Sequence, residues 1–216
     1  MFTGLVEEMG KVKSLKKTSQ GIKLEISCDK VITNAKIGDS IATNGVCLTV
    51  TELLSNSFIA DVMNETVAVT TLQNLSCGDF VNLEKSLTLQ SYLGGHLVTG
   101  DVDCCGKIST ISQDGFSIRY TVEIDPYFMK YVVYKGRVAL DGASLTVTHL
   151  DNTTFSVSII PHTQKNITLG LKQKGDSINV ETDLIGKHLE KLLNYKNDNI
   201  KKSNITTNFL SENGFF

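Results

Sequence analysis

The chain has 216 residues, of which 41% are hydrophobic and 20% are charged, and its formal net charge is −2. This balance is typical of a globular protein, and it excludes the strongly basic surface that binding to nucleic acid or to an anionic membrane would require. The sequence predicts neither a signal peptide nor an apolar run of about 20 residues, so we expect no membrane span. Five cysteines without Cys-x-x-Cys spacing indicate reduced thiols and a cytoplasmic location.

The predicted elements before residue 180 are short strands divided by Gly-Asp, Asp-Gly and Asn-Gly turns. Residues 22–26 alternate apolar and charged side chains, as a half-buried strand does. Residues 38–42 begin a strand that turns at Asn44-Gly45 into residues 47–53, which predicts a hairpin. Further strands are predicted at 58–62, 80–84 and 118–124, and short helices or turns at 66–75 and 163–171.

From Leu184 onwards the apolar residues recur at helical spacing, so we predict a C-terminal helix. Its apolar stripe comprises Leu184, Ile185, His188, Leu189, Leu192 and Leu193. The stripe has two possible partners, which periodicity alone does not separate. One is the adjacent domain of the same chain, and the other is the same helix in further subunits. The tail after Asn197 is polar, and we expect it to be loosely held apart from Phe209, Leu210, Phe215 and Phe216.

Two stretches of the chain are similar at an offset of 97 positions. Residues 45–53 read Gly-Val-Cys-Leu-Thr-Val-Thr-Glu-Leu, and residues 142–150 read Gly-Ala-Ser-Leu-Thr-Val-Thr-His-Leu. The match continues downstream to residues 84 and 181, and upstream the offset is 96. A unit of this length is too long for a solenoid repeat, so we predict two domains. Roughly six short strands in each domain favour a small closed antiparallel barrel, because closure removes exposed strand edges.

The sequence contains no nucleotide-binding loop, zinc-ligand spacing or nucleophile elbow, and its four histidines are scattered, so we expect no metal site. The repeat suggests a different kind of site. A pocket between two equivalent domains would be nearly symmetric and suited to two copies of one ligand. Taken singly, each threonine in such a pocket could be an ordinary strand residue, and Cys47 could be a small buried hydrophobe.

Several motifs together resemble riboflavin synthase of the trimeric, two-barrel type. They are the opening Met-Phe-Thr-Gly, Asn44-Gly45-x-Cys47-Leu48-Thr49-Val50, Gly94-Gly95-His96, Asp141-Gly142-x-Ser144-Leu145-Thr146-Val147, Ile160-Pro161-His162-Thr163 and the closing segment 209–215. The resemblance implies an all-β fold of two tandem six-stranded Greek-key barrels related by the internal repeat, plus a C-terminal α-helix that assembles a homotrimer. The implied domains are an N-terminal lumazine-binding barrel (1–96), a C-terminal lumazine-binding barrel (97–183), and a trimerisation helix and tail (184–216).

The resemblance also implies a reaction. Two molecules of 6,7-dimethyl-8-ribityllumazine dismutate by transfer of four carbons, and the products are riboflavin and 5-amino-6-(ribitylamino)uracil. No redox cofactor or metal is required. The active site forms between the N-terminal barrel of one subunit and the C-terminal barrel of its neighbour. An association with lumazine synthase is a further expectation.

The resemblance assigns residues to both lumazines. One is held by Gly4, Leu5, Val6, Cys47, Leu48, Thr49, Asp61, Val62, Met63, Asn64, Glu65 and Thr66. The other is held by Lys135, Ser144, Leu145, Thr146, Ile160, Pro161, His162, Thr163, Gln164 and Lys165. The repeat adds Gly100, Asp101 and Val102 as the equivalents of Gly4, Leu5 and Val6. The implied catalytic residues are Ser40, Cys47 and Asp101.

One of these positions departs from the family pattern, since Gly100-Asp101 stands where the family usually has Gly-His. Asp101 could act as a base if burial weakened its acidity, could hydrogen-bond the ligand, or could be a solvated loop carboxylate. Two other functions therefore stay open. One is a non-catalytic lumazine- or flavin-binding protein of the antenna type, and the other is a purely structural double barrel.

Overall fold

The computed structural model describes residues 1–199 and 207–215. Residues 8–85 form a closed antiparallel barrel in the order β1-β2-β5-β4-β3-β6. Its strands are β1 (Glu8–Thr18), β2 (Gly21–Ser27), β3 (Ser40–Thr43), β4 (Val46–Leu53), β5 (Ser57–Met63) and β6 (Phe80–Lys85). A short helix α1 (Asn64–Val69) and a 3-10 turn (Thr71–Asn74) connect β5 to β6.

The second barrel repeats this order with β7-β8-β11-β10-β9-β12. Its strands are β7 (Cys104–Asp114), β8 (Ser117–Glu123), β9 (Arg137–Leu140), β10 (Ala143–Leu150), β11 (Thr154–Ile159) and β12 (Ser177–Thr182). Its helical parts are α2 (Pro126–Met129), α3 (Pro161–Asn166) and a 3-10 turn (Thr168–Leu171). The two barrels confirm the predicted Greek-key fold. We call two residues that correspond in this repeat repeat mates.

Each barrel closes around a core of inward-facing side chains. In β4, Val46, Leu48 and Val50 are buried while Cys47 and Thr49 are exposed, so the strand presents two distinct faces. β10 alternates in the same way. Because successive strand residues point to opposite faces, the outward-facing positions of β4 and β10 are free to build a site.

The turns predicted at Asn44 and Asp141 join the barrels at the pseudo-twofold axis. The side chain of Asn82 donates from Nδ2 to the backbone oxygen of Asp141 (2.9 Å), and Asn179 donates to that of Asn44 (2.8 Å). The backbones of Gly45 and Gly142 touch here, since a Cβ on Gly45 would lie 2.7 Å from Gly142 N. The contact leaves no room for a ligand between Gly45 and Gly142 themselves.

The segments that precede the barrels cross between them. Phe2 and Val98 form an antiparallel bridge (N–O distances 2.7 and 3.1 Å) and pack with Ala42 and Ala139. Val6 then packs against the core of the second barrel, whereas Val102 packs against the core of the first. Each barrel is therefore completed by the segment that leads into the other one.

Two buried carboxylates fix these crossing segments. Glu84 accepts hydrogen bonds from the backbone N–H and hydroxyl of Thr3 (both 2.6 Å) and from Gly4 N (3.0 Å). Glu181, its repeat mate, accepts the equivalent bonds from Thr99 and Gly100. Burial raises the pKa of Glu84, and the hydrogen bonds from Thr3 and Gly4 oppose that shift. Both carboxylates position the residues that enter the candidate sites.

The C-terminal part contains the predicted helix, α4 (Leu184–Asn199). Its apolar residues Ile185, Leu189, Leu192 and Leu193 are each more than half exposed. The tail was expected to be loosely held, but residues 207–212 form a short helix, α5; residues 200–206 and 216 lie outside the described residues. In the parts of the chain that the structure describes, no helix has the length and apolar character needed to cross a membrane.

Candidate functional site

Two equivalent candidate sites lie on the outer faces of the barrels, where the crossing segments meet β4 and β10. Cys47 N donates to the backbone oxygen of Gly100 (3.0 Å), and Ser144 N donates to that of Gly4 (2.8 Å). We call the surroundings of Cys47 and Gly100 the N-terminal half-site, and those of Ser144 and Gly4 the C-terminal half-site.

Glycine is required at both crossing positions. Gly4 has φ +74°, and a Cβ there would lie 2.5 Å from Ser144 Cβ. Gly100 has φ +89°, and its Cβ would lie 2.5 Å from Cys47 Cβ. An L-residue would be strained in this conformation and would also clash, so the two glycines allow the close approach that builds each half-site.

This arrangement corrects the grouping that we expected. Gly4, Leu5 and Val6 were assigned to the same lumazine as Cys47, but they dock on Ser144 of the second barrel. Gly100, Asp101 and Val102 dock on Cys47 instead. The repeat identifies which residues are equivalent, but it does not indicate to which barrel a connecting segment binds.

The C-terminal half-site borders a cavity of about 750 Å³. This volume is in the range of small-molecule pockets, roughly 300–1,000 Å³. From the predicted site, the lining includes Gly4, Leu5, Val6, Ser144, Leu145, His162 and Thr163. Residues of the first barrel, among them Glu8, Lys30 and Phe80, complete the wall. The cavity thus lies between the two barrels, beside their contact.

Ser144 has a histidine partner. The distance from Ser144 Oγ to His96 Nδ1 is 2.7 Å. His96 is only 8% exposed, and its Nε2 has no hydrogen-bond partner. Burial lowers the pKa of His96, the nearby charge of Asp183 raises it, and the positive charge of Arg137 lowers it. The imidazole is therefore held in its neutral form beside the hydroxyl.

The N-terminal half-site presents a thiol where the other presents a hydroxyl. Cys47 and Thr49 are exposed on the outer face of β4, and Ser40 lies opposite Thr49 in the β3–β4 ladder. Ser40 also lines a cavity of about 610 Å³ together with Thr3 and Leu5. Asp101 is exposed, so the burial that would make it a base is absent in the single chain.

The helices that follow β5 and β11 carry further predicted residues. Glu65 and His162 are repeat mates, and both are exposed in the first turns of α1 and α3. Asn64 donates from Nδ2 to Ser19 O (3.1 Å), while Gln164 is hydrogen-bonded to the buried Tyr120. Of the remaining predicted residues of these segments, Asp61, Met63, Ile160, Pro161 and Lys165 are exposed and Thr66 is half-buried. Asp61 and Met63 line a separate cavity of about 450 Å³.

Three predicted residues face the barrel cores instead of a ligand surface. Leu48 and Val62 are 3% exposed in the first core, and Leu145 is 9% exposed in the second. Val62 and Leu145 each also border a cavity, whereas Leu48 lines none of the cavities described above. The correction follows from the strand period, because Leu48 and Leu145 alternate with the outward-facing Cys47, Thr49, Ser144 and Thr146.

Lys135 has the backbone conformation of a glycine. Its φ is +63°, and its repeat mate Gly38 has φ +95°. Both residues donate their N–H to β-strand oxygens at equivalent positions, Val147 O (3.0 Å) and Val50 O (2.9 Å). The second barrel thus keeps a lysine in a conformation that lysine rarely adopts.

Sequence reasoning missed His96, Arg137, Asp183, Glu84 and Glu181 as site residues. Arg137 could have been found, because it is the repeat mate of the predicted residue Ser40. His96 belongs to a motif that carried the resemblance, but its partner Ser144 lies 48 positions away, and only the fold brings them together. None of the five cysteines forms a disulfide, and the described residues contain no cluster of three or more His, Cys, Asp or Glu that could hold a metal ion.

The chain matches the family model of the lumazine binding domain twice, over residues 3–86 and 99–183. Riboflavin synthase of Bacillus subtilis (strain 168) is 42% identical over 215 residues, covering 100% of both chains. Riboflavin synthase of Actinobacillus pleuropneumoniae shows the same identity and coverage, and that of Schizosaccharomyces pombe is 44% identical over 195 residues, covering 89% of this chain and 94% of the relative.

Solved structures agree with the fold. LumP complexed with riboflavin superposes with a TM-score of 0.78 at 22% identity, covering 84% of this chain and 99% of LumP. LumP complexed with 6,7-dimethyl-8-(1'-D-ribityl) lumazine has a TM-score of 0.76 at 21% identity, with the same coverage. From the duplicated domain and the full-length similarity to these synthases, the chain belongs to the riboflavin synthase family.

Proposed function

We infer that the chain catalyses the riboflavin synthase reaction. Two molecules of 6,7-dimethyl-8-ribityllumazine react; one donates four carbons to the other, giving riboflavin and 5-amino-6-(ribitylamino)uracil. The enzyme must hold two identical heterocycles in a defined mutual orientation, which is the larger demand of such a reaction. The methyl group at C7 is acidified by its own electron-poor ring, so a modest base suffices for proton removal.

The observation that carries this inference is the pair of equivalent half-sites. Each contains a glycine-anchored crossing segment and an outward-facing Cys47 or Ser144, and the C-terminal half-site also includes the first turn of α3. A protein that binds a single ligand needs only one such site. Two similar but chemically different half-sites suit two identical molecules that play different roles.

Within these half-sites we propose the following roles. In the N-terminal half-site, Ser40, Cys47, Thr49, Glu65, Thr66 and Gly100–Val102 hold one lumazine, with Ser40, Cys47 and Asp101 near the reacting atoms. In the C-terminal half-site, Gly4–Val6, Lys135, Ser144, Thr146 and residues 160–165 hold the other. Asp101 would act as a base only after a neighbouring subunit covers it, because it is exposed in the single chain.

The assembly that we propose is a homotrimer, in which the N-terminal half-site of one subunit faces the C-terminal half-site of the next. The exposed apolar side chains of α4 support this proposal, because a helix of this kind gains stability by burying its stripe against copies of itself. We retain the domain division 1–96, 97–183 and 184–216. A cytoplasmic location and an association with lumazine synthase are further proposals.

The experiment is an incubation of the purified chain with 6,7-dimethyl-8-ribityllumazine alone, followed by chromatography of the products. We expect riboflavin and the diaminouracil product in equal amounts. Asp101→Asn should lower the rate, whereas Asp114→Asn, which changes an exposed carboxylate paired with Arg119, should not. Lumazine that binds but persists unchanged would make the chain a binding protein of the antenna type, and absent binding would make it a structural double barrel.

A further inference from the structure

The two half-sites differ most in their charged residues. The C-terminal half-site has Arg137, Asp183 and His96 around Ser144, and the first two have Ser40 and Ser86 as repeat mates in the N-terminal half-site. The histidine lies outside the segments that the repeat matches. The following inference rests on the proposed function and concerns what these charges do.

The strand register places Arg137 beside Ser144. In the β9–β10 ladder, Arg137 lies opposite Thr146 and Ala139 lies opposite Ser144. Since residues two apart share a face of a sheet, Arg137, Thr146 and Ser144 all lie on the outer face of the second barrel. Side chains directly opposite each other are about 5 Å apart at Cβ, and diagonal neighbours are within reach of an arginine.

The register on the other edge of β9 places a carboxylate near the same arginine. Val138 lies opposite Thr182, and Ala139 lies opposite Glu181. Arg137 precedes Val138 and Asp183 follows Thr182, so both flank the last pair of this antiparallel ladder at the same end. The two opposite charges are therefore close to each other and to His96, on which both act electrostatically.

The hydrogen bonds of His96 determine which nitrogen carries its proton. Nδ1 lies 2.7 Å from Ser144 Oγ, and the buried Nε2 has no partner. A buried N–H without an acceptor is costlier than an unused lone pair, so the proton belongs on Nδ1. His96 then donates to Ser144, and the hydroxyl hydrogen of Ser144 is free to point to a ligand.

A second proton on the imidazole would disrupt this arrangement. Imidazolium would bury a charge and an unsatisfied Nε2–H, so the ring would be drawn away from Ser144 towards Asp183. Two further carboxylates lie on the surrounding elements and hold the crossing segments. Glu84 binds Thr3 and Gly4, and Glu181 binds Thr99 and Gly100. Asp183 and Arg137 are thus the charges that decide between the two forms.

We propose that Arg137 is a positioning residue of the C-terminal half-site: it opposes the charge of Asp183 and so supports the burial that keeps His96 neutral and hydrogen-bonded to Ser144. Ser144 then offers a strong O–H donor to a carbonyl oxygen or ring nitrogen of the lumazine bound there. Cys47 offers only a weak S–H donor at the equivalent place. The difference makes the C-terminal half-site the one that stabilises negative charge on its heterocycle.

The direct test is a pH titration of the histidine ring protons by NMR in the intact protein without ligand. His96→Gln assigns the His96 signal. In Arg137→Gln the titration midpoint of the His96 ring protons should rise by about 0.5–1 pH unit, because a nearby positive charge has been removed. Arg137→Lys should keep the wild-type midpoint. The matched control is Arg119→Gln, since Arg119 is the only other arginine and pairs with Asp114 at 2.6 Å.

Riboflavin formation supplies the second readout. The acid limb of kcat/KM should move to higher pH in Arg137→Gln by the same amount as the NMR midpoint, and Arg119→Gln should leave it in place. A His96 midpoint that is equal in Arg137→Gln and Arg119→Gln would overturn the proposal. The NMR titration needs no turnover, so it tests the role of Arg137 even if the chain forms no riboflavin. A failure to form riboflavin would refute only the proposed function.

Discussion

The two barrels have the same strand order and equivalent turns, and in each a buried glutamate, Glu84 or Glu181, binds a crossing segment. Their outer faces differ where a ligand would bind. The first presents Cys47, Ser40 and Ser86, whereas the second presents Ser144, Arg137 and Asp183 together with His96. The common features maintain the fold and position the crossing segments. Cys47, Ser40, Ser144 and Arg137 lie in strands, whereas Ser86, Asp183 and His96 lie just outside them. The comparison indicates that duplication produced two equivalent surfaces with different chemistry.

The strongest test of the common features is to disturb the crossing glycines. Gly4→Ala and Gly100→Ala should each lower the free energy of unfolding by about 3 kcal/mol, because both combine positive φ with a clash against the neighbouring strand. Gly115→Ala is the matched control. Gly115 has φ +60° with nothing within 4 Å of its Cβ position, so a loss of about 1 kcal/mol is expected. Urea unfolding measures all three, and equal losses would refute the role of close approach.

Removing one polar group from each half-site should lower the free energy of unfolding by different amounts. Ser144→Ala deprives the buried Nδ1 of His96 of its partner and should cost about 1–2 kcal/mol of unfolding free energy. Cys47→Ala changes an exposed side chain and should cost less than about 0.5 kcal/mol. Thermal unfolding of both variants checks the difference. A Cys47→Ala variant as unstable as Ser144→Ala would contradict the contrast between a buried polar pair and an exposed thiol.

Exchanging Lys135 and Gly38 tests a strained backbone position. Lys135→Gly should raise the free energy of unfolding by about 0.5 kcal/mol, because glycine adopts φ +63° without the penalty that lysine bears. Lys135→Gly should also lower the rate of riboflavin formation, since the ammonium group that it removes is proposed to hold a lumazine. Gly38→Lys should destabilise by a similar amount, and open space around Gly38 excludes a clash. Faster turnover in Lys135→Gly would contradict this role.

The smallest expected effect concerns the barrel contact. Burial raises the pKa of Asp141, opposed by Lys172, whose Nζ lies 3.1 Å from Oδ2. A carboxyl with a raised folded-state pKa binds its proton more tightly when folded, so its contribution to stability is largest at low pH and falls as pH rises through that pKa. Asp141→Asn, which copies the repeat mate Asn44, should remove this decline.

Urea unfolding between about pH 4 and pH 8 checks this prediction through the difference between variant and wild type. The raised pKa of Glu84 affects both proteins alike and cancels in the difference. The advantage of Asp141→Asn should therefore grow as the pH rises. A difference that is constant with pH would show that Asp141 keeps the same proton affinity in both states.

The sequence predicted the fold better than the site. The offset of 97 positions predicted two domains, but the meeting of the turns at Asn44 and Asp141 in the barrel contact was seen only in the structure. The long strands β1 and β7 were not located individually, since the lysine-rich end of β1 and the polar end of β7 weaken the alternation that indicates a strand. The short helix α5 was missed because its residues are mostly polar.

The site could be predicted only in part, because it depends on which segments meet in space. The repeat identified Gly4 and Gly100 as equivalent, but the crossing that places Gly4 on Ser144 has no sequence signal. His96 and Asp183 approach Ser144 from distant parts of the chain, so their cooperation appears only in the folded barrel. The sequence therefore shows which residues are repeat mates, but only the fold shows which residues are in contact.

The central claim is that a reaction centre combines the N-terminal half-site of one chain with the C-terminal half-site of another. Co-expression of Gly4→Ala and Gly100→Ala chains tests it most directly, with riboflavin formation as the readout. Each variant alone should be nearly inactive, since every centre then contains one damaged half. Random mixed trimers should recover about one quarter of the wild-type rate, because a head-to-tail interface pairs two intact halves with that frequency. A mixture that stays as inactive as its components would place both halves of the centre in one chain and contradict the account.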